Sequence, residues 1–368
     1  MNVRNFRKIE WWIPLCAIIL CGIGLVALFS ASYDSGLDEF KKQAMWMGIS
    51  IGIMVVVMLI DYKVLIKLSP ILYGIAIVSV IAVLFTKPIS GARSWFVIGN
   101  DLLSFQPAEI AKVFVILFLA YVISTIQRNG RDEINRIPKL AIILLIIAVP
   151  VLLIIIEPDY GTATAYIVAF LVMIFVAGID KKYIISAFAL VIIAVPLLYN
   201  FILPQHAKSR IDTFLHPESD PKGAGYNILQ SKLAIGAGEI TGMGVLKGNQ
   251  TQLGYLYPKS TDFIFSVIGE EMGFVVACSV ILLNVVIITK SIQVAKGIKD
   301  EAGAYVAAGI AGIFLFHTLE NIGMTMGLLP ITGVPLLFVS YGRKFNDNKF
   351  FMFRNFTKYK QSKKKWNV

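Results

Sequence analysis

The chain has 368 residues, of which 57% are hydrophobic and only 15% charged, with a mean hydropathy of +0.74. Those values exclude an ordinary soluble domain and point to an all-α polytopic membrane protein. The formal charge of +11 does not indicate a nucleic-acid partner, because residues 343–368 hold nine Lys or Arg against one acid, Asp347, and so carry +8 of it.

Apolar runs able to cross about 30 Å of hydrocarbon lie near residues 11–30, 43–60, 64–85, 107–126, 138–156, 162–179, 183–203, 262–289 and 303–329. They predict about nine transmembrane helices. The first run is too long for the apolar part of a cleaved signal peptide, and more spans follow, so it reads as a retained signal-anchor with a cytoplasmic N-terminus. The basic residues agree with that orientation. Arg4, Arg7 and Lys8, then Lys63 and Lys67, then Arg128, Arg131, Arg136 and Lys139, then Lys181 and Lys182, then Lys290, Lys296 and Lys299 all fall on or near the side assigned to the inside. Cys16, Cys21 and Cys278 lie inside spans and form no CxxC pair, which supports neither a disulfide framework nor a zinc site. His206, His216 and His317 follow no metal-ligand spacing, and each is expected to be an ordinary satisfied side chain.

Along the chain, the third gap, which faces outward, contributes Arg93 in SGARSWF. Glu109 and Lys112 follow at the start of the fourth span, three residues apart, so a helix makes them neighbours on one face and they should pair. Ionisable residues inside a membrane are costly and mark function by default. The turn before the sixth span, EPDYGTA, adds Glu157 and Asp159 on the same outward side. After the seventh span comes an outward loop of about residues 204–261, too long and too patterned for a simple connection. It carries Lys208 and Arg210, and its apolar residues Ile228, Leu229, Leu233, Ala234 and Ile235 predict a short amphipathic helix at the interface. Glycines at 236, 238, 242, 244 and 248 then allow a tight turn or a close approach of backbone to a ligand. No strand precedes them, so they do not form a nucleotide-binding loop.

Asp262 closes the loop in PKSTDFIFSVIGEEMG, where backbone re-enters lipid. With Ser260 and Thr261 as caps it is expected in the first turn of the eighth span, its carboxylate stabilised by the helix dipole and able to act as a base. Glu270 and Glu271 deeper in that span, and Glu320 and Asn321 in the ninth, are too expensive to be solvated surface and should face inward. The sum is an outward cluster of both signs, in which cations could grip a diphosphate and a carboxylate could take a proton from an attacking hydroxyl.

The strings GARSWFVIG, FQPAEIAK, EPDYGTA, GYNILQSKLAIGAGEITGMG, TQLGYLYPKSTDFIFSVIGEEMGF and NIGMTMGLLPITGVPL with FVSYG, spread over about residues 10–342, together resemble the SEDS family (shape, elongation, division and sporulation), in its RodA-like branch. The resemblance implies a ten-span fold with one large extracellular loop bearing short interfacial helices. It implies a peptidoglycan glycosyltransferase that polymerises lipid II at the outer face of the cytoplasmic membrane, for elongation and shape. A class B penicillin-binding protein is the implied protein partner, beside lipid II, undecaprenyl-diphosphate-linked glycan and membrane lipids. Asp262 matches the family's essential acid, the implied base for the acceptor hydroxyl. Glu109 and Lys112 match a motif in which Ala108 replaces the usual Ser. Arg93 and Arg210 match positions expected at the diphosphate or its cavity. Glu157, Asp159, Gln230 and Lys259 complete the implied substrate-binding set. No cofactor is required by any residue pattern, though the resemblance leaves room for a divalent Mg or Mn at the leaving diphosphate. The same charged cavity would also suit a flippase for the lipid-linked precursor, or a non-catalytic scaffold for the penicillin-binding protein.

The chain departs from the family at its end. Leu337 stands where a second Pro is usual, and Gly342 leads into a basic tail rather than GGSS and a tenth span. Nine spans would leave that tail outside, against the bias of basic residues for the inside, unless it loops back or rests on anionic headgroups. A Lys-, Asn- and Phe-rich ending is what a shifted frame in an AT-rich gene would encode, and the expectation is a disordered tail on a truncated form of impaired turnover. Sequencing the coding DNA tests this: another frame after codon 342 should encode GGSS and an apolar span, and its absence would end the idea.

Overall fold

The computed structural model describes residues 11–59, 62–87, 93–98, 103–202, 205–298 and 300–342. The tail, the residues before Trp11 with their three cations, and Lys299 lie outside the described residues. The first half of the chain forms helices α1 (Trp12–Ala31), α2 (Asp38–Leu59), α3 (Tyr62–Val83), α4 (Pro107–Ile126), α5 (Ile137–Ile156) and α6 (Tyr160–Ala177). A two-stranded antiparallel hairpin, β1 (Phe96–Ile98) with β2 (Leu103–Phe105), lies between α3 and α4 and is a small addition to the expected all-α fold. After α7 (Lys181–Leu197) the long loop is mostly helical, with α8 (Gln205–Leu215), α9 (Ala224–Ala237) and the single turn α10 (Asn249–Gln252). The fold ends in α11 (Ile264–Gly297), α12 (Glu301–Thr325) and a non-helical segment to Gly342.

Among the described residues eight helices are long and apolar enough to cross a membrane. They coincide with eight of the nine expected spans. The remaining one, residues 43–60, falls on α2, whose side chains from residue 53 onward lie outside the described residues. The amphipathic helix expected around residues 228–235 is α9, which buries Ile228, Ser231 and Ala234 and exposes Leu229 and Leu233. Cys16 and Cys21 are buried packing residues of α1.

The bundle is organised around α12, whose Gly309 and Gly312 let it lie directly on α6. A β-carbon at Gly312 would stand 2.8 Å from the Ala169 Cα, and one at Gly309 would stand 2.7 Å from the Met173 sulfur. Small residues at such a crossing let helices pack through van der Waals contact where lipid supplies no hydrophobic drive. No described side chain of α7 is buried, so that helix presents its surface to lipid.

Helix α11 is broken at Gly273, where φ is 79° and ψ is −177°. The break frees two carbonyls and two amides, and the glycine-rich stretch after α9 takes all four. Met243 and Gly244 donate their amides to the carbonyls of Glu270 and Glu271, each at 2.9 Å, while Phe274 and Val275 donate to Glu239 and Ile240 at 2.9 and 3.3 Å. The sequence therefore foresaw the close approach but mistook its target. A β-carbon at Gly238 would fall 1.8 Å from the Gly269 carbonyl oxygen and one at Gly242 2.3 Å from the Glu271 carbonyl oxygen, so these two glycines meet α11.

Glu270 and Glu271 are buried, as expected, and they fasten this arrangement. Glu270 accepts from the amides of Gln250 and Thr251 at 2.7 and 3.0 Å and from the Thr251 hydroxyl at 2.6 Å, holding the first turn of α10. Glu271 accepts from Ser30 of α1 at 2.7 Å and from Gln252 at 2.9 Å. Gly273→Ala should lower thermal stability by about 1 to 3 kcal/mol from backbone strain alone, with a clash against the Gly242 amide, 2.2 Å from the new β-carbon, in addition. A thermal-shift measurement on the purified variant checks this, and an unchanged midpoint would refute the account of the kink.

Candidate functional site

The N-terminal ends of α4, α6 and α11 and the C-terminal end of α12 meet at one end of the bundle. Pro107 at the first turn of α4 has no amide to leave unpaired and presets the helical φ. That start places Glu109 and Lys112 on one face, where they form the expected ion pair at 2.8 Å, with Lys112 only 1% and Glu109 13% exposed. Lys112 also lies 3.2 Å from Nε2 of His317 on α12, and the His317 Nδ1 lies 3.0 Å from the Pro335 carbonyl oxygen. An ammonium can only donate, so its partners assign His317 as a neutral ring that accepts at Nε2 and donates from Nδ1.

Asp159 caps α6 by accepting the Thr162 amide at 3.1 Å, and its other carboxylate oxygen accepts from the Gln106 carboxamide at 2.5 Å. Burial pushes its pKa up, opposed by the Thr162 bonds and by Lys112, while Glu109 pushes it further up. Glu157, at the end of α5, is 0% exposed, and neither carboxyl oxygen finds a hydrogen-bond partner among the described residues. Burial first, and then the Asp159 charge, raise it from an ordinary 4.5 to about 8, so at neutral pH it is an uncharged acid.

Residues 331–342, too few to cross a membrane, fold back as an irregular wall. Val334 and the stretch from Leu336 to Gly342 are buried apart from residue 335, and a β-carbon at Gly161 beside Asp159 would strike Val334 at 2.6 Å. Asn321 donates both to the Val334 carbonyl at 2.9 Å and to the Asp262 carbonyl at 3.0 Å. Thr332 donates to Glu320 at 2.7 Å, and the Tyr341 amide donates to the Ser260 carbonyl at 3.0 Å. Both polar residues expected to face inward from the ninth span therefore do so.

Asp262 itself requires a correction. Helix α11 begins at Ile264 with Phe263 as its cap and no side-chain capping bond, so Asp262 precedes the first turn and neither Ser260 nor Thr261 caps it. The turn of residues 257–263 carries it, the Asn321 bond holds its carbonyl, and its half-buried carboxylate lies near Gly333, where a β-carbon would be 3.6 Å from Oδ2.

Glu109, Lys112, Asp159 and Asp262 thus belong to one cluster built on the 332–335 wall. Arg93 is exposed, and its guanidinium donates to the Leu84 carbonyl at 3.3 Å. Arg210 is exposed on α8. Lys259 donates to the Thr251 carbonyl at 2.8 Å and lies 3.7 Å from Asp34. Gln230 is half-buried on α9, with a carboxamide oxygen that has no partner among the described residues. Sequence reasoning missed His317 and Gln106. The cost argument applied to Glu320 and Asn321 would have found His317, one helical turn earlier on the same face. Among the described residues no three His, Cys, Asp or Glu side chains are grouped to hold a metal ion.

The model of the cell cycle proteins FtsW, RodA and SpoVE matches residues 10–343. The chain belongs to this family. It is 37% identical over 335 residues to the peptidoglycan glycosyltransferase MrdB of Escherichia coli strain K12, covering 89% of this chain and 88% of that one. It is 34% identical over 341 residues to the stage V sporulation protein E of Bacillus subtilis strain 168, covering 89% and 90%. Among solved structures, a chain of a peptidoglycan synthase complex that coordinates polymerization and crosslinking superposes with a TM-score of 0.79 at 25% identity, covering 94% of this chain and 96% of that one. The crystal structure of the rod shape determining protein RodA of Thermus thermophilus superposes at 0.71 with 24% identity, covering 97% and 98%. The fold is that of this membrane-protein family.

Because the folded value of Glu157 lies above its unfolded one, the stability it contributes is present at low pH and is lost as pH rises from 4.5 toward about 8. Glu157→Gln, which imitates the uncharged acid, should remove that component. The wild-type melting midpoint should fall relative to the variant's across this range and run parallel above it. Parallel curves throughout would contradict an uncharged Glu157.

Proposed function

We propose that the chain is a peptidoglycan glycosyltransferase that polymerises lipid II into glycan strands at the outer face of the cytoplasmic membrane, serving elongation and shape. The observation that carries this reading is the cluster itself. A half-buried carboxylate at Asp262 stands on the same short wall as a buried ammonium at Lys112, within a family whose relatives include named peptidoglycan glycosyltransferases. Three helix N-termini converge there, and their dipoles favour an anionic group such as a diphosphate.

In this mechanism the acceptor sugar's hydroxyl loses its proton to the Asp262 carboxylate as its oxygen attacks the donor's anomeric carbon. The bond from that carbon to the lipid diphosphate breaks, and the electron pair leaves with the diphosphate. Lys112 meets the developing charge, with Arg93, Arg210 and Lys259 at the rim, and Gln230 and Asp159 bind sugar hydroxyls. The excess of Lys and Arg on the inside supports a cytoplasmic N-terminus and an outward site. The complex in which a similar chain takes part in polymerization and crosslinking supports a class B penicillin-binding protein as partner.

Asp262→Asn should abolish glycan polymerisation by the purified chain supplied with lipid II, leaving expression and melting behaviour intact. Retained polymerisation would remove Asp262 from the role of base. Translocation of lipid II without any polymer would identify a flippase, and partner binding without polymer a scaffold.

A further inference from the structure

His317 has no part in the reaction as written above, yet it is buried against the one fully buried cation of the site. It is 1% exposed, its Nε2 stands 3.2 Å from the Lys112 ammonium, and its Nδ1 stands 3.0 Å from the Pro335 carbonyl oxygen. Lys112 has three N–H directions. Glu109 at 2.8 Å takes one and His317 takes the second. Tetrahedral geometry then fixes the third.

A lysine side chain ordinarily rotates about four bonds, and an ammonium held by one carboxylate still swivels about that contact. Two acceptors on different helices remove the swivel. We propose that His317 is a positioning residue that aims the Lys112 ammonium, and that it sets that aim by the position of the 331–342 wall, to which it is tied through Pro335. The relay joins three separate elements of chain: Glu109 and Lys112 on α4, His317 on α12, and the wall that stands beside Asp262. A displacement of the wall moves the imidazole, and the imidazole moves the cation. The base and the cation are therefore kept in register by one short segment, because Asn321 fastens the neighbouring Val334 carbonyl to the Asp262 carbonyl.

The inference rests on Lys112 meeting the diphosphate, and two measurements separate its failure from that of the proposed function. The first needs no turnover. The chain has three histidines, so imidazole nitrogen NMR of the full chain labelled at histidine, with His317→Gln to assign the signal, reads the ring directly. The expected spectrum at neutral pH is an uncharged ring protonated at Nδ1, whose Nε2 resonance shifts in Lys112→Met. A charged ring, a ring protonated at Nε2, or no response to Lys112→Met overturns the proposal even in a chain that makes no glycan.

The second measurement compares polymerisation rates. His317→Gln restores a carboxamide oxygen that can accept from Lys112 and should stay within about tenfold of wild type, whereas His317→Leu, with no acceptor, should lose about a hundredfold in kcat, the scale of a misplaced reacting group. Equal rates for the two variants, whether both high or both lost, overturn the positioning role. If wild type makes no polymer, the proposed function fails while the first measurement still decides His317.

Discussion

Backbone amides and carbonyls within a membrane must find partners inside the protein, because lipid offers none and each orphan costs several kcal/mol. This chain interrupts its helices at the places where its acidic and basic residues gather, so that constraint governs how the site is built. The break at Gly273 exposes four backbone groups, and the stretch from Glu239 to Gly244 pairs with each of them. The irregular wall after α12 faces the same demand. It meets it with side chains, through Asn321 on Val334, His317 on Pro335 and Ser340 on the Leu336 amide. Polar residues that look expensive in a hydrophobic sequence are, in large part, the partners of non-helical backbone.

That division separates these acids into three kinds. Glu270 and Glu271 have much of their hydrogen-bonding capacity taken by α10, α1 and Gln252. They are fasteners: they lock the long loop to the broken helix and thereby fix where residues 257–263 emerge. Asp262 is held by its carbonyl, which leaves its half-buried carboxylate beside Gly333 rather than at a helix cap. Glu157 is different again, since burial first and then the Asp159 charge favour the protonated form of an acid whose carboxyl oxygens find no hydrogen-bond partner among the described residues. Three environments give three chemistries to the same functional group.

The sequence showed the spans because hydrophobic length is a local property that tertiary contacts do not alter. It also showed the Glu109–Lys112 pair, since three residues on a helix settle proximity without knowledge of the rest. It misplaced Asp262 by a few residues, because cap residues were read from type alone, and the turn before Ile264 is stabilised by a distant partner, Asn321. The glycines at 238 and 242 were recognised as places of close approach, but what approaches them lies some thirty residues further on, in a kink that no local pattern announces. His317 was expected to be an ordinary satisfied side chain, and both its ring nitrogens do have partners, but which partners they are was not foreseen. Its partners come from α4 and from the wall, so no spacing within α12 reveals them.

The wall has a further consequence for how the site works as a unit. A buried ion pair alone is weak support for a structure, because desolvation offsets much of the attraction. Glu109 and Lys112 therefore gain their value less from stability than from direction, and direction requires more than two points. His317 supplies a third point and Pro335 a fourth. Through Val334 and Asn321 the same segment reaches Asp262. The Asp262 carbonyl and the Lys112 ammonium are thus referenced to a single piece of backbone, and an error in that backbone would move both together rather than pull them apart.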